Sequence, residues 1–323
     1  MPSAPLARCC GLLAAALVLL GGPLRAQAVG SGGILLQLPA TAREMALGGA
    51  YTAVIGDAGA LFVNPAGLAP IKHNAVAVSH ERYLLGTTLT SMALAVRVSK
   101  FDLGVGVHLL DFGGDSAVVP DPAFGGDRGL TTGARIGAYH ALGIGTLTYR
   151  RGLLSAGVSV KGLREHVGVD GDPASNLSAV AVDVGLVAAF FDIAAIGVVA
   201  QNLGGDLRGG TAVPAPLPRT VRVGYMLNVW DPQGVPRLMV TAEWVGVSRA
   251  RDHWAFGVEG GVVSGGVGLL GRLGAVSGRR DSDRSPLVAG GGIVFHGFRL
   301  DYAYQALRAL GGGTHRITAG WLW

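Results

Sequence analysis

From Asn74 to the last residue, apolar and polar positions alternate with a period of two. Met92, Leu94, Val96 and Val98 share one face, while Ser91, Arg97 and Ser99 share the other. The pattern returns with Leu103, Val105, Val107 and Leu109 against Asp102, Gly104, Gly106 and His108. It returns again with Val221, Val223, Tyr225 and Leu227 against Arg222 and Asn228. Period two marks a β-strand whose two faces meet different surroundings. Here one face is consistently apolar, and the other mixes small, polar and charged side chains. Each segment runs about ten residues, the length a tilted strand needs to cross a hydrocarbon layer, whereas strands of soluble sandwiches average about 5–6.

About fourteen such segments are predicted: Asn74–Leu84, Thr88–Ser99, Phe101–Phe112, Arg135–Tyr149, Leu153–Val167, Ser178–Phe191, Ile193–Asn202, Arg219–Trp230, Arg237–Val247, His253–Val263, Gly266–Val276, Leu287–His296, Phe298–Leu307 and Thr314–Trp323. With the first strand starting at the periplasm, connections should alternate between outside and inside. The expected outside loops are Gly113–Ala134, Gly168–Leu177, Leu203–Pro218, Ser248–Asp252, Ser277–Pro286 and Arg308–Gly313, mostly rich in Gly, Pro, Asp and Arg. The expected inside turns, near Lys100, Arg150–Gly152, Phe191–Asp192, Ser264–Gly265 and Gly297, are tight, and Asp231–Pro236 is the longest. Long outside and short inside is the asymmetry of outer-membrane barrels, and it places both termini in the periplasm. Tyr149, Trp230, Trp244, Trp254, Phe295, Phe298, Tyr302, Trp321 and Trp323 fall near strand ends, where aromatic girdles meet membrane interfaces. The expected fold is all-β: a transmembrane antiparallel β-barrel of about 14 strands, residues 74–323, in contact with outer-membrane lipid.

Composition agrees. The chain is 50% apolar and 15% charged, yet beyond residue 28 no apolar run is long enough for a membrane helix. Its 54 glycines disfavour helix and suit strands that bend or pack backbone on backbone. The net charge of +5 is spread along the chain, with no basic cluster interleaved with aromatics, so nucleic acid is not an expected partner.

Residues 1–28 read as a secretory signal peptide. Arg8 supplies positive charge, Gly11–Leu20 is an apolar run too short to span a bilayer, and Ala26-Gln27-Ala28 offers a cleavage site. The two cysteines, Cys9 and Cys10, fall in this segment, which leaves the mature chain without disulfide, thiolate metal site or thiol nucleophile.

Val29–His73 does not alternate. It contains Ala42-Arg43-Glu44-Met45-Ala46-Leu47-Gly48-Gly49-Ala50, then Asp57-Ala58-Gly59-Ala60 and Asn64-Pro65-Ala66-Gly67-Leu68. This run of about thirty residues resembles the start of the PorV/PorQ family of outer-membrane proteins and, more distantly, of FadL-like fatty-acid channels. The resemblance implies a 14-stranded barrel whose residues 29–73 fold inward as a hatch. Arg43, Gly48, Gly49, Asp57, Asn64, Pro65 and Gly67 are the residues that would shape it. Locally, Asn-Pro initiates turns and Gly67 can take a positive φ. A simple turn leading into the first strand is the plainer alternative. At the other end, Ile317, Ala319, Trp321 and Trp323 share a face and the chain stops on an aromatic. In barrel families such a last strand is read by the barrel-assembly machinery, an expected partner of Trp321 and Trp323.

Other motifs carry less. Gly266-Val-Gly-Leu-Leu-Gly271 matches a dinucleotide fingerprint but lacks a following helix and reads as a glycine-rich strand. Asn176-Leu177-Ser178 is a glycosylation sequon in a chain with bacterial export signals. The eight histidines lack metal-ligand spacing, and Asp111, Asp115, Asp121 and Asp127 lack that of a calcium loop. No catalytic constellation, metal or cofactor is expected. The inward charges Lys161, Asp183, Arg222, Glu243, Glu259 and Arg299 come in both signs, fit either for cross-strand ion pairs or for a polar path. Three functions stay open. One is a secretion-associated scaffold that binds secretion components or exported cargo, as the PorV/PorQ resemblance implies. A second is passive transport of hydrophobic small molecules, as in FadL-like channels. The third is a barrel without transport or a soluble β domain.

Overall fold

The computed structural model describes residues 31–69, 74–83, 86–120, 129–169, 176–191, 193–210, 213–230, 233–277, 284–307 and 312–323. The expected signal peptide, Asp121 and Asp127 lie outside them. The described residues form fourteen strands: β1 Ala75–Arg82, β2 Thr88–Val98, β3 Phe101–Pro120, β4 Gly129–Arg151, β5 Leu154–Val169, β6 Asn176–Phe190, β7 Ala194–Gly204, β8 Thr220–Asn228, β9 Pro236–Val247, β10 His253–Ser264, β11 Val267–Val276, β12 Arg284–Phe295, β13 Phe298–Leu307 and β14 Gly312–Leu322. Each pairs antiparallel with its neighbours, and β14 pairs with β1, closing the barrel. Closure satisfies every strand edge, the condition a sheet must meet in lipid.

The alternation orients the wall. Outward Val105, Val107, Val160, Val180, Leu269 and Leu273 are exposed, while inward Asp102, His108, Ser159, Asp183, Thr241 and Glu243 are buried. An apolar surface running round the whole circumference has no stable place in water. One end carries the tight turns Ser99–Lys100, Gly152–Leu153, Gly265–Gly266 and His296–Gly297. We call it the turn end; both Asn74 and Trp323 sit there, joined by a reciprocal pair of backbone hydrogen bonds of 3.0 Å. Phe101 and Tyr149 pack as tilted rings with centroids 5.2 Å apart on its outer rim, and Trp321 and Trp323 do the same at 5.2 Å. The opposite end is the loop end.

Two expected outside loops differ from their sequence reading. Most of Gly113–Ala134 is strand, because β3 and β4 continue past their neighbours as a ribbon paired from Gly114–Gly137 to Pro120–Gly129. Its glycines bend the ribbon at two register shifts without breaking it. Leu203–Pro218 turns back into the barrel mouth: Leu207 bridges Ala215, and both Leu207 and Leu217 are buried. Their apolar side chains find cover inside the lumen that a solvated loop would deny them.

Residues 31–69 thread the barrel from loop end to turn end. Gly32 donates to the carbonyl of Pro216 in the mouth. A 3-10 turn at Ile34–Gln37 leads to a short helix, α1 (Ala42–Ala46), capped by Thr41. Two further 3-10 turns, Ala58–Phe62 and Pro65–Leu68, follow near the turn end, each capped by a polar side chain, Asp57 and Asn64. Such short elements are held by the wall around them and not by helix propensity.

Candidate functional site

The segment touches the wall in three ways. The first is backbone on backbone. Inward glycines at 157, 185, 197, 224, 274 and 290 leave room where a side chain would strike the segment. A Cβ at Gly157 would lie 2.6 Å from the carbonyl carbon of Pro65, and one at Gly185 would collide with Asn64. A Cβ at Gly274 would strike the backbone at Gly48, which itself holds a φ of 67°. The glycine abundance of the sequence is thus spent partly on seating this segment.

The second is a set of caps and clamps. Asn64 is fully buried; its Oδ1 accepts from Ala66 N–H at 3.0 Å and its Nδ2 donates to Thr52 O at 2.8 Å. Thr148 donates to the carbonyl of Pro65 at 2.6 Å. Gly67 does not adopt the positive φ its sequence allowed. It is needed for closeness, since a Cβ there would lie 2.9 Å from Val54 O. Glu243 accepts from the N–H groups of both Tyr51 and Thr52 at 2.8 Å and pairs with Arg222 at 2.5 Å. Arg222 in turn donates to Gly49 O at 2.6 Å, with Gly49 at φ 83°. The expected lumen charges Arg222 and Glu243 therefore grip residues 49–52 as one unit.

The third is an ion network. Arg43 on α1 meets Glu259 with two hydrogen bonds of 2.7 and 2.8 Å and reaches Asp57 at 3.3 Å. Glu259 also pairs with Arg272 at 2.5 Å and lies 3.7 Å from Arg299. Arg272 and Arg299 share Asp301, at 2.9 and 2.7 Å. Asp57 completes it, accepting from Tyr51 Oη at 2.8 Å and facing Arg299 at 3.6 Å. Burial pushes the Asp57 carboxyl up, but Arg299 and Arg43 outweigh it and hold the group below the ordinary aspartate range. Burial pushes Glu44, whose carboxylate accepts from Ala40 N–H at 2.8 Å, above the ordinary glutamate range.

Lys161 and Asp183 pair at 2.6 Å between β5 and β6, away from this network, with Asn202 bonded to both. Arg272, Asp301, Glu81 and Arg316 join the expected lumen charges. Glu81 and Arg316 form a buried pair between β1 and β14, and Arg316 also donates to Pro39 O. Glu259 and Arg272 are direct cross-strand partners, a relation legible only once β10 and β11 are in register. Trp321 and Trp323 stand exposed on the outer rim, in the part of the chain that closes the barrel.

The segment leaves recesses in the lumen on both of its sides. On the loop side, Glu44, Gly48, Gly49, Gln201, Arg222 and Gln305 border a space of about 100 Å³. On the turn side, Val54, Ile55, Met226, Met239 and Leu270 border one of about 210 Å³, with Arg43 and Glu259 at its edge. Arg43 and Glu44, neighbours on α1, border opposite recesses, so a single layer of the segment separates them. No metal-binding cluster of His, Cys, Asp or Glu occurs among the described residues.

No protein-family model and no curated protein sequence matches the chain. Solved structures do. The toluene transporter TbuX of Ralstonia pickettii is 14% identical, with a TM-score of 0.56 over 88% of this chain and 97% of that one. The toluene transporter TodX of Pseudomonas putida is 12% identical, with a TM-score of 0.58 over 88% and 99%. A FadL homologue of Pseudomonas aeruginosa is 14% identical, with a TM-score of 0.51 over 87% and 98%. At such identities the likeness is one of fold.

Proposed function

We propose that the protein is an outer-membrane channel for passive uptake of small hydrophobic molecules, with residues 29–73 acting as its hatch. In this reading residues 1–28 are removed on export, the loop end faces outward, and both termini face the periplasm. The observation that carries it is the pair of recesses on either side of one thin layer. The turn-side recess, about 210 Å³, sets Val54, Ile55, Met226, Leu238, Met239 and Leu270 beside the charged Arg43, Arg237 and Glu259, and it exceeds in volume the roughly 150 Å³ cavity that holds benzene in an engineered protein core. Two methionines line it, and their flexible thioethers adapt to varied apolar guests. The similarity in fold to two toluene transporters adds support. It favours uptake over the secretion-scaffold role, which rests on the resemblance carried by residues 42–68 alone.

Vesicles carrying the full chain should take up toluene faster than empty vesicles, with no gain for a sugar of similar size. Equal toluene uptake by loaded and empty vesicles would remove the proposal. Recovery of exported proteins bound to the loop end would revive the scaffold reading.

A further inference from the structure

One sector of the outer wall breaks its apolar rule. Cross-strand register sets Thr88 of β2 beside Arg82 of β1, Arg82 beside His315 of β14, and His315 beside Tyr304 of β13. One row nearer the turn end, Thr90 lies beside His80, and Tyr302 faces them across Ile317. All are outward positions: Arg82, His80, His315 and Tyr302 are exposed, whereas Glu81, Asp301 and Arg316 beside them in sequence are buried in the lumen. His80 Nδ1 lies 3.0 Å from Thr90 Oγ1, and Tyr302 Oη lies 2.7 Å from His315 Nδ1.

The face therefore offers a guanidinium, two imidazoles and four hydroxyls on four adjacent strands. The carboxylates of those strands, Glu81 and Asp301, both point inward. Arg82 has no carboxylate partner among the described residues, and it is the last residue of β1, at the loop-end rim. A guanidinium facing lipid is costly unless it reaches an anion at headgroup level. Arginine presents a planar fork that matches phosphate oxygens two at a time, and flanking hydroxyls and imidazoles can donate to the remaining oxygens.

We propose that the row Thr88, Arg82, His315 and Tyr304 binds the phosphate of a lipid headgroup in the leaflet at the loop end. The proposal rests on the barrel spanning a membrane and stands apart from the uptake reading.

The test is native mass spectrometry of the full chain in detergent, titrated with diphosphoryl lipid A. Parallel titrations use the same lipid after phosphatase treatment, and inorganic phosphate alone. The double variant R82Q/H315Q should bind lipid A at least about tenfold more weakly than the natural chain, the loss expected for charge-assisted hydrogen bonds to phosphate. Dephosphorylated lipid should bind the natural chain and the double variant alike. R164Q, which removes an exposed arginine from β5 on a distant part of the wall, should bind lipid A as the natural chain does. Equal binding by the natural chain and the double variant would overturn the proposal, as would an equal loss in R164Q. Capture of inorganic phosphate as tight as that of lipid A would overturn the lipid source. If the double variant fails to fold, T88V/Y304F removes only hydroxyls, and undiminished lipid A binding by it would count against the row.

Discussion

Along β2 to β5 the N-terminal segment meets the wall through Leu35, Leu61 and Leu68, packed with Leu89, Leu110, Leu142, Ile144 and Leu163. Along β10 to β13 it meets the wall through Arg43 and Asp57, locked to Glu259, Arg272, Arg299 and Asp301. The apolar sector is non-directional: a small slide of the segment exchanges one methyl contact for another. The ionic sector is directional, and the same slide would leave buried charges unpaired at a cost of several kcal/mol. One sector thus supplies non-directional cohesion, and the other fixes where the segment stops. In the uptake we propose, the segment should give on the first side and pivot on the second.

The largest way to break this contrast is Glu259→Ala. It removes the carboxylate shared by Arg43, Arg272 and Arg299, and should cost about 3–5 kcal/mol. The temperature of heat-modifiable gel migration should fall, and residues 31–69 should become open to protease. Leu163→Ala in the apolar sector should cost about 2–3 kcal/mol through the cavity it leaves. Unlike Glu259→Ala, it should raise toluene flux while the segment stays protease-resistant. Gly185→Ala should displace Asn64 and cost about 1–3 kcal/mol by overpacking, seen as a smaller fall in the same migration temperature. Acidification should have the least effect. The Asp57 pKa is lowered on folding, so its stabilisation is present above the unfolded aspartate range and is lost only as pH falls through the lower folded value. Protease resistance of the segment should therefore hold from neutral pH through mildly acid pH, and weaken only below the ordinary carboxylate range.

The strands were legible because period two is a direct consequence of backbone geometry, and most boundaries lie within a few residues of the observed ones. Phe298–Leu307 coincides with β13. The ribbon beyond Phe112 was hidden because Gly113, Gly114, Gly129 and Gly133 carry no hydropathy signal, although the backbone there pairs as strand. The inward turn of Leu203–Pro218 was hidden for a different reason. Leu207 and Leu217 are isolated apolar residues in a Gly/Pro-rich stretch, and only Leu35 and its neighbours give them somewhere to go. The inward charges were recognised as a class, since alternation alone aims them at the lumen. Their partners were not, because Arg43–Glu259 and Tyr51–Glu243 join residues about two hundred positions apart through a non-periodic segment.

In the uptake we propose, residues 31–69 form the layer that controls passage between the loop-side and turn-side recesses. Thr52 and Gly224 bring it within reach of one measurement, because a Cβ at Gly224 would stand 3.1 Å from that of Thr52. In T52C/G224C, oxidation should tie the segment to β8, and toluene flux into vesicles should fall to the level of empty vesicles, returning on reduction of the same sample. Flux that stays unchanged when the disulfide forms, with bond formation verified by mass spectrometry, would contradict the claim.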